Sequence, residues 1–220
     1  MLRLEGVPAD QIHLVRHGEV HNPDGVLYGQ LPNFRLSDRG ERMAHAAADE
    51  LKRAGRPVSR LIASPLQRAQ ESAAPIAAAF DLPIDTEPRI IEPTNRFEGL
   101  TFEFGPQVLL KPRSWPWVRN PFKPSWGEAY ASIVERMRAA ITDAHASVDS
   151  GDVVLVSHQL PIWMVHRSVA GKTLWHDPRQ RRCTLSSITS FELHDGQLVE
   201  VGYREPAAEL LADAVDQGAV

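Results

Sequence analysis

The chain has 220 residues, a formal net charge of −4 and 43% hydrophobic residues, proportions that suit one large water-soluble domain with a sizeable core. It offers no basic footprint for nucleic acid, no signal-peptide core and no apolar run of membrane-spanning length. Neither nucleic acid nor a membrane is therefore expected as a partner, and the simplest address is cytoplasmic. The single cysteine, Cys183, leaves no intrachain disulfide and no cysteine-based zinc cluster to consider. With Thr189 six residues on, it also lacks the arginine of a Cys-x5-Arg nucleophile, and it reads as a buried small apolar residue.

In chain order, residues 1–11 are a loose lead-in. The apolar run Ile12 to Val15 reads as a buried strand that breaks at Arg16-His17, followed by Gly18, which is expected to let the backbone turn sharply. The segment from His21 to Phe34 is rich in turn residues and reads as a loop over the strand end. Ser37 then caps a helix from about Asp38 to Ala54, stopped by Gly55 and Pro57. A second strand, Arg60 to Ala63, leads into Ser64-Pro65-Leu66-Gln67-Arg68-Ala69. There Ser64 and Gln67 have the spacing of a capping box and Pro65 suits a first helical position, which places Arg68 in the first turn of a helix running to about Phe80.

Ile84 to Thr86 is a short strand, and Glu92 to Gly99 is a loop. Residues 101–126 change character: proline-rich, with Trp115, Trp117 and Trp126 and several cations, they read as an insertion or lid. Glu128 to Ser147 is the clearest long helix, with Ile133, Met137, Ile141 and Ala144 on one face. Val153 to Val156 is an apolar strand ending at Ser157-His158-Gln159, and Pro161 opens a helix closing near Gly171. Ser187 to Leu193 and Gln197 to Tyr203 form a hairpin around His194-Asp195-Gly196. Residues 205–220, rich in alanine, are a helix or a frayed tail.

Strands alternating with helices imply an α/β layered fold, and in such folds ligands sit beyond the carboxyl ends of the strands. Three strand ends here carry Arg16 with His17, Arg68, and His158. Two arginines and two histidines on one sheet edge make a cationic pocket suited to a phosphoryl group: guanidinium is a planar fork of donors, and a neutral imidazole can attack phosphorus. Helix starts near Ser64 and Pro161 would add backbone donors.

Four stretches, Leu14-Val15-Arg16-His17-Gly18-Glu19, Leu36-Ser37-Asp38-Arg39-Gly40, Ser64-Pro65-Leu66-Gln67-Arg68-Ala69 and Val156-Ser157-His158, stand in an order that resembles the phosphoglycerate mutase-like branch of the histidine phosphatase superfamily, over roughly residues 12–205. The resemblance implies a three-layer α/β/α sandwich with a mostly parallel central sheet, as one domain over residues 1–220 with a lid at about 100–127. It implies His17 as a nucleophile that becomes phosphohistidine, and Arg16, Arg68 and His158 as the groups around the phosphoryl oxygens. No metal or other cofactor is implied, and the partner is a small phosphorylated metabolite.

The family's acid loop, Glu-x3-Gly-x2-Glu-Gly, is one residue shorter here and lacks its inner glycine. By position Glu92 is the general acid/base, with Glu98 the alternative. The family's asparagine after the nucleophile is Pro23 here, which leaves the neighbouring Asn22 as a phosphate contact or a turn residue. Gln159 replaces a glycine and either offers its backbone N–H or packs, and a serine is lost at Ala129. His17 and His21 as metal ligands, and Arg179, Arg181 and Arg182 as anion contacts, are minority readings against a loop and a solvated basic turn. The leading function is a phosphomonoesterase. The rivals are a phosphoglycerate mutase-type transferase and a pseudoenzyme that binds phosphorylated ligands. The tryptophans of the lid suggest a leaving group with an apolar or ring-bearing part. The sequence does not specify the oligomeric state.

Overall fold

A computed structural model describes residues 9–96, 98–101 and 127–216. The described residues form a central six-stranded sheet flanked by four helices, a mixed α/β sandwich. The strands are β1 (Ile12–Arg16), β2 (Val58–Ala63), β3 (Ile84–Thr86), β4 (Asp152–Ser157), β5 (Ile188–His194) and β6 (Gln197–Arg204), in the order β3-β2-β4-β1-β5-β6. The first four run parallel, while β5 and β6 are antiparallel to their neighbours. The helices are α1 (Asp38–Arg53), α2 (Gln67–Phe80), α3 (Tyr130–Ala146) and α4 (Gln159–Val169).

Side-chain alternation explains the layering. Ile12 and Leu14 of β1, with Val153 and Leu155 of β4, pack with Ile133 and Met137 of α3 and Ile162 of α4. The intervening Val15, Val154 and Val156 pack instead with Ala47 and Leu51 of α1 and Ala73 and Ile76 of α2. A strand buried on both faces is apolar except where a polar side chain is fully bonded, as His13 is by Ser190 and Asp152, and that is why these runs lack the polar alternation of a half-exposed strand. The pairing register sets Arg16 beside Ser157 and Ala63 beside Val156, so the ends of β1, β2 and β4 lie level at one edge.

Several local expectations are revised. Gly18 does not adopt a left-handed conformation; it is needed for close approach, because a Cβ there would lie 2.4 Å from the Gly40 carbonyl oxygen. Gly40 is the reciprocal case, with a Cβ only 2.0 Å from the Glu19 carbonyl oxygen. The chain leaving β1 therefore runs backbone-to-backbone against the start of α1, whose cap is Ser37, its hydroxyl accepting from the Gly40 N–H at 3.0 Å. The capping box at Ser64 does not form. Helix α2 begins at Gln67, whose side chain reaches Glu71, and the Ser64 hydroxyl turns to His158.

Helix α4 starts two residues before Pro161, which falls third in the helix, where a missing N–H costs nothing because the first four have no intrahelical acceptor. Helix α3 starts at Tyr130, and the Glu128 carboxylate beside it accepts from Arg136. The hairpin turns through Asp195 and Gly196, both with positive φ, as a tight two-residue connection requires. Residues 205–216 hold only a short 3-10 turn, Ala208–Leu210, rather than a full helix. Apart from Thr101, the proline- and tryptophan-rich stretch lies outside the described residues, and with it Trp115, Trp117 and Trp126.

Candidate active site

The level strand ends bring the expected residues together. His17 follows β1 directly, Arg68 is the second residue of α2, and His158 precedes the first residue of α4. Arg16, His17, Arg68, Glu92 and His158 are all buried.

Hydrogen bonding fixes the state of His17. Its Nδ1 lies 2.7 Å from the Gly18 carbonyl oxygen, which can only accept, so Nδ1 carries the proton and Nε2 the lone pair. Arg68 Nε donates toward that lone pair at 3.3 Å. Burial first, then the Arg68 and Arg16 charges, hold the imidazole pKa far below its usual value, so the ring stays neutral. Arg68 is itself held by a 2.7 Å bond to the Gly29 carbonyl and lies over the Tyr28 ring, 4.7 Å from its centroid. Burial pushes the Tyr28 hydroxyl up to about 12, so it remains protonated.

The ring of His158 stands 5.1 Å from that of His17, edge to face. Its Nε2 bonds the Ser64 hydroxyl at 2.7 Å, while Nδ1 is buried without a hydrogen-bond partner and lies 3.8 Å from a Glu92 carboxylate oxygen. Arg16 has the same character. Its Nη1 donates to the Cys183 carbonyl at 2.7 Å and to Asp216 at 2.8 Å, and its Nη2 also meets Asp216, yet Nε is buried without a partner. Arg16 Nε and His158 Nδ1 are thus two buried nitrogens close to the His17 imidazole that have no hydrogen-bond partner among the described residues, a costly state unless a further group meets them.

The two candidate acids separate clearly. Glu98 accepts from the backbone N–H groups of Gln30 and Asn95 and so holds the loop together. Glu92 stands beside His158, and burial lifts its carboxyl to about 7 against the opposing pull of Arg68, Arg181 and Arg16. The two side chains proposed from sequence as substrate contacts both bond within the protein. Both ends of the Asn22 amide bond Val26 within the loop, at 2.9 Å each, which is the turn-residue role. The Gln159 side chain donates to the Cys183 carbonyl at 3.2 Å and accepts from Arg181 at 3.3 Å, so the side chain packs as a strut, while its backbone N–H opens α4, where the helix supplies no acceptor.

Of the basic turn, Arg179 pairs with Asp177 and Arg182 with Glu200, but Arg181 points inward to Gln159 and His176, contrary to its reading as solvated. Cys183 is buried as expected, its thiol pushed up to about 11 by that burial. Sequence reasoning passed over Ser64 and Asp216. Ser64 could have been found from its place immediately after a strand end, as with His17 and His158. Asp216, 200 residues from Arg16, carries no local signal.

Comparisons with known proteins give matches of different reach. A family model described as histidine phosphatase superfamily (branch 1) matches residues 12–205. The chain is 52% identical over 198 residues to the uncharacterized protein Rv0525 of Mycobacterium tuberculosis, covering 90% of this chain and 97% of that one. It is 34% identical over 167 residues to phosphoserine phosphatase 1 of Hydrogenobacter thermophilus, covering 73% and 76% respectively. The crystal structure of phosphoserine phosphatase from Entamoeba histolytica with 3-phosphoglyceric acid superposes with a TM-score of 0.71 over 88% of this chain and 96% of that one. At 21% identity, that likeness speaks for the fold alone.

Proposed function

Since the chain belongs to the histidine phosphatase superfamily (branch 1), we propose that it is a phosphatase that hydrolyses a small phosphomonoester through a phosphohistidine on His17, without a metal. The observation that carries this reading is the pair of unpartnered buried nitrogens, Arg16 Nε and His158 Nδ1, beside the unprotonated Nε2 of His17.

A phosphoryl group between them accepts from Arg16 and His158, with Arg68 as the third donor. The His17 Nε2 lone pair forms the N–P bond as the ester P–O bond breaks. These three residues offset the charge on the phosphoryl oxygens, the main demand of phosphoryl transfer. Glu92, neutral by virtue of its burial, gives its proton to the leaving oxygen. The resulting carboxylate then takes a proton from water as that water attacks phosphorus, breaking the N–P bond and releasing inorganic phosphate. For His158 to donate from Nδ1, its Nε2 must accept from the Ser64 hydroxyl, and the 2.7 Å contact permits this.

The test is hydrolysis of p-nitrophenyl phosphate in EDTA by the wild type and by His17→Ala. Turnover that survives EDTA and vanishes in His17→Ala supports the reading, as does an acid-labile phosphoenzyme in the wild type alone. Turnover that persists in His17→Ala overturns it. A phosphoenzyme that forms but passes its phosphoryl group to a hydroxylated acceptor faster than to water would favour the mutase-type alternative.

A further inference from the structure

Arg16 is 1% exposed, yet the end of its guanidinium reaches Asp216, a residue 42% exposed. Carboxylate and guanidinium meet as two parallel bonds, Nη1 to Oδ2 at 2.8 Å and Nη2 to Oδ1. This is the arrangement in which a guanidinium takes two oxygens of a phosphoryl group. We propose that Asp216 is an internal competitor for the substrate phosphate: its carboxylate serves as the counter-ion of Arg16 in the resting site and must give up that guanidinium when a phosphoryl group enters. The proposal rests on the reading of Arg16 as a phosphate-holding residue.

The segment bearing Asp216 is built as a fixed stem with a polar tip. Ala207, Leu210, Leu211 and Ala214 pack with Met43 of α1 and with Leu185, which anchors the stem by apolar contact. Around and past Ala214, the contacts of the described residues Asp213, Val215 and Asp216 are polar. The Val215 N–H donates to Glu19 at 2.8 Å, Arg39 donates to the Asp213 carbonyl, and the Val215 side chain is exposed. The tip can therefore leave while the stem stays docked. In the resting site Asp216 offsets a buried cation that would otherwise lie unpaired, a costly state. It does so incompletely, because it leaves Arg16 Nε and His158 Nδ1 without partners. A phosphoryl dianion takes those donors as well and carries more charge, so it displaces the carboxylate.

The experiment is titration with inorganic phosphate by calorimetry, on the full chain and on Asp216→Asn, with Arg16→Met as the control. Loss of the competing charge is expected to tighten phosphate binding by roughly three- to tenfold, and to lower KM for p-nitrophenyl phosphate with kcat little changed. A chain ending at Ala214, which keeps the packed stem, should behave as Asp216→Asn does. Binding that is lost in Arg16→Met but unchanged or weakened in Asp216→Asn would overturn the competitor and leave Asp216 as a residue that positions Arg16, with the phosphatase reading intact. No phosphate binding by either the full chain or Asp216→Asn would overturn both.

Discussion

At Glu92 the energetics of burial become a chemical property. A carboxyl taken out of water loses more as the anion than as the acid, and here that loss exceeds the combined pull of four nearby arginines, so the pKa rises to about 7. The sign follows directly: the proton needed for the leaving group is present below about 7 and is lost as pH rises through it. For His17 burial acts in the opposite sense, because the charged form is the protonated one, and the Arg68 and Arg16 charges lower the pKa further, so the proposed nucleophile is neutral well into the acid range. The expected kcat/KM profile is level on the acid side of neutrality and falls above about pH 7. Glu92→Gln should cost about 10²- to 10⁴-fold and remove the fall at pH 7. A retained alkaline limb in that variant would assign the titration to another group. The stability of the fold should also fall with rising pH, but here the variant gains. Since the folded pKa lies above the unfolded one, ionisation opposes folding as pH rises through 7, and Glu92→Gln should melt higher than wild type at pH 8.

The elements deliver these residues through backbone contacts as much as side-chain ones. The loop leaving β1 and the first turn of α1 touch through Gly18 and Gly40, with no room for a Cβ at either. Alanine normally stabilises a helix relative to glycine by about 1 kcal/mol. Gly40→Ala should do the reverse, because its Cβ would meet backbone that cannot yield without moving Glu19 and, two residues back, His17. A loss of about 1–3 kcal/mol is expected, visible as a lower midpoint in thermal melts, with kcat falling in the fraction that remains folded. A gain in stability would show that the loop gives way freely. This interlock marks the limit of what local sequence conveys. The apolar runs of β1 and β4, the Ser37 cap and the first-turn position of Arg68 were legible because each is decided within a few residues. The purpose of Gly18, the start of α2 and the partner of Ser64 were not, because each is set by a segment distant in sequence. Ser64 has the spacing of a cap, but His158, 94 residues away, takes its hydroxyl. The fold and the clustering of His17, Arg68 and His158 could be read from strand ends. Glu92 was the choice by position, and the packed loop adds a physical reason, because it occupies Glu98 with the Gln30 and Asn95 N–H groups.

Across the whole molecule the two ends of the sheet are built on opposite principles. At the carboxyl ends of β1 and β4 buried donors lack partners, as a binding site requires. Toward the amino end of the same two strands, Asp152 accepts from His13 at 3.1 Å, from Arg56 at 2.7 and 2.8 Å, and from the Gln11 N–H at 2.9 Å, while the other nitrogen of His13 bonds Ser190 at 2.8 Å. Burial alone would raise the Asp152 pKa, but the hydrogen bonds from His13 and Arg56 prevail and bring it down to about 2. A folded pKa below the unfolded value of about 3.8 means that the stabilisation is complete above pH 4 and is lost as pH falls through 2. A shift of this size corresponds to about 2 kcal/mol, or a change of about 4–8 °C in melting temperature for a chain of this length. Asp152→Asn should therefore melt several degrees below wild type at pH 6, and the gap should narrow as both are taken toward pH 2. A gap independent of pH would mean that the variant loses packing rather than charge. Because this network lies at the opposite end of the strands from His17, kcat/KM at pH 6 and 25 °C should be unchanged in Asp152→Asn, whereas a loss of activity in the folded variant would show that the amino end of the sheet sets the alignment of its carboxyl end.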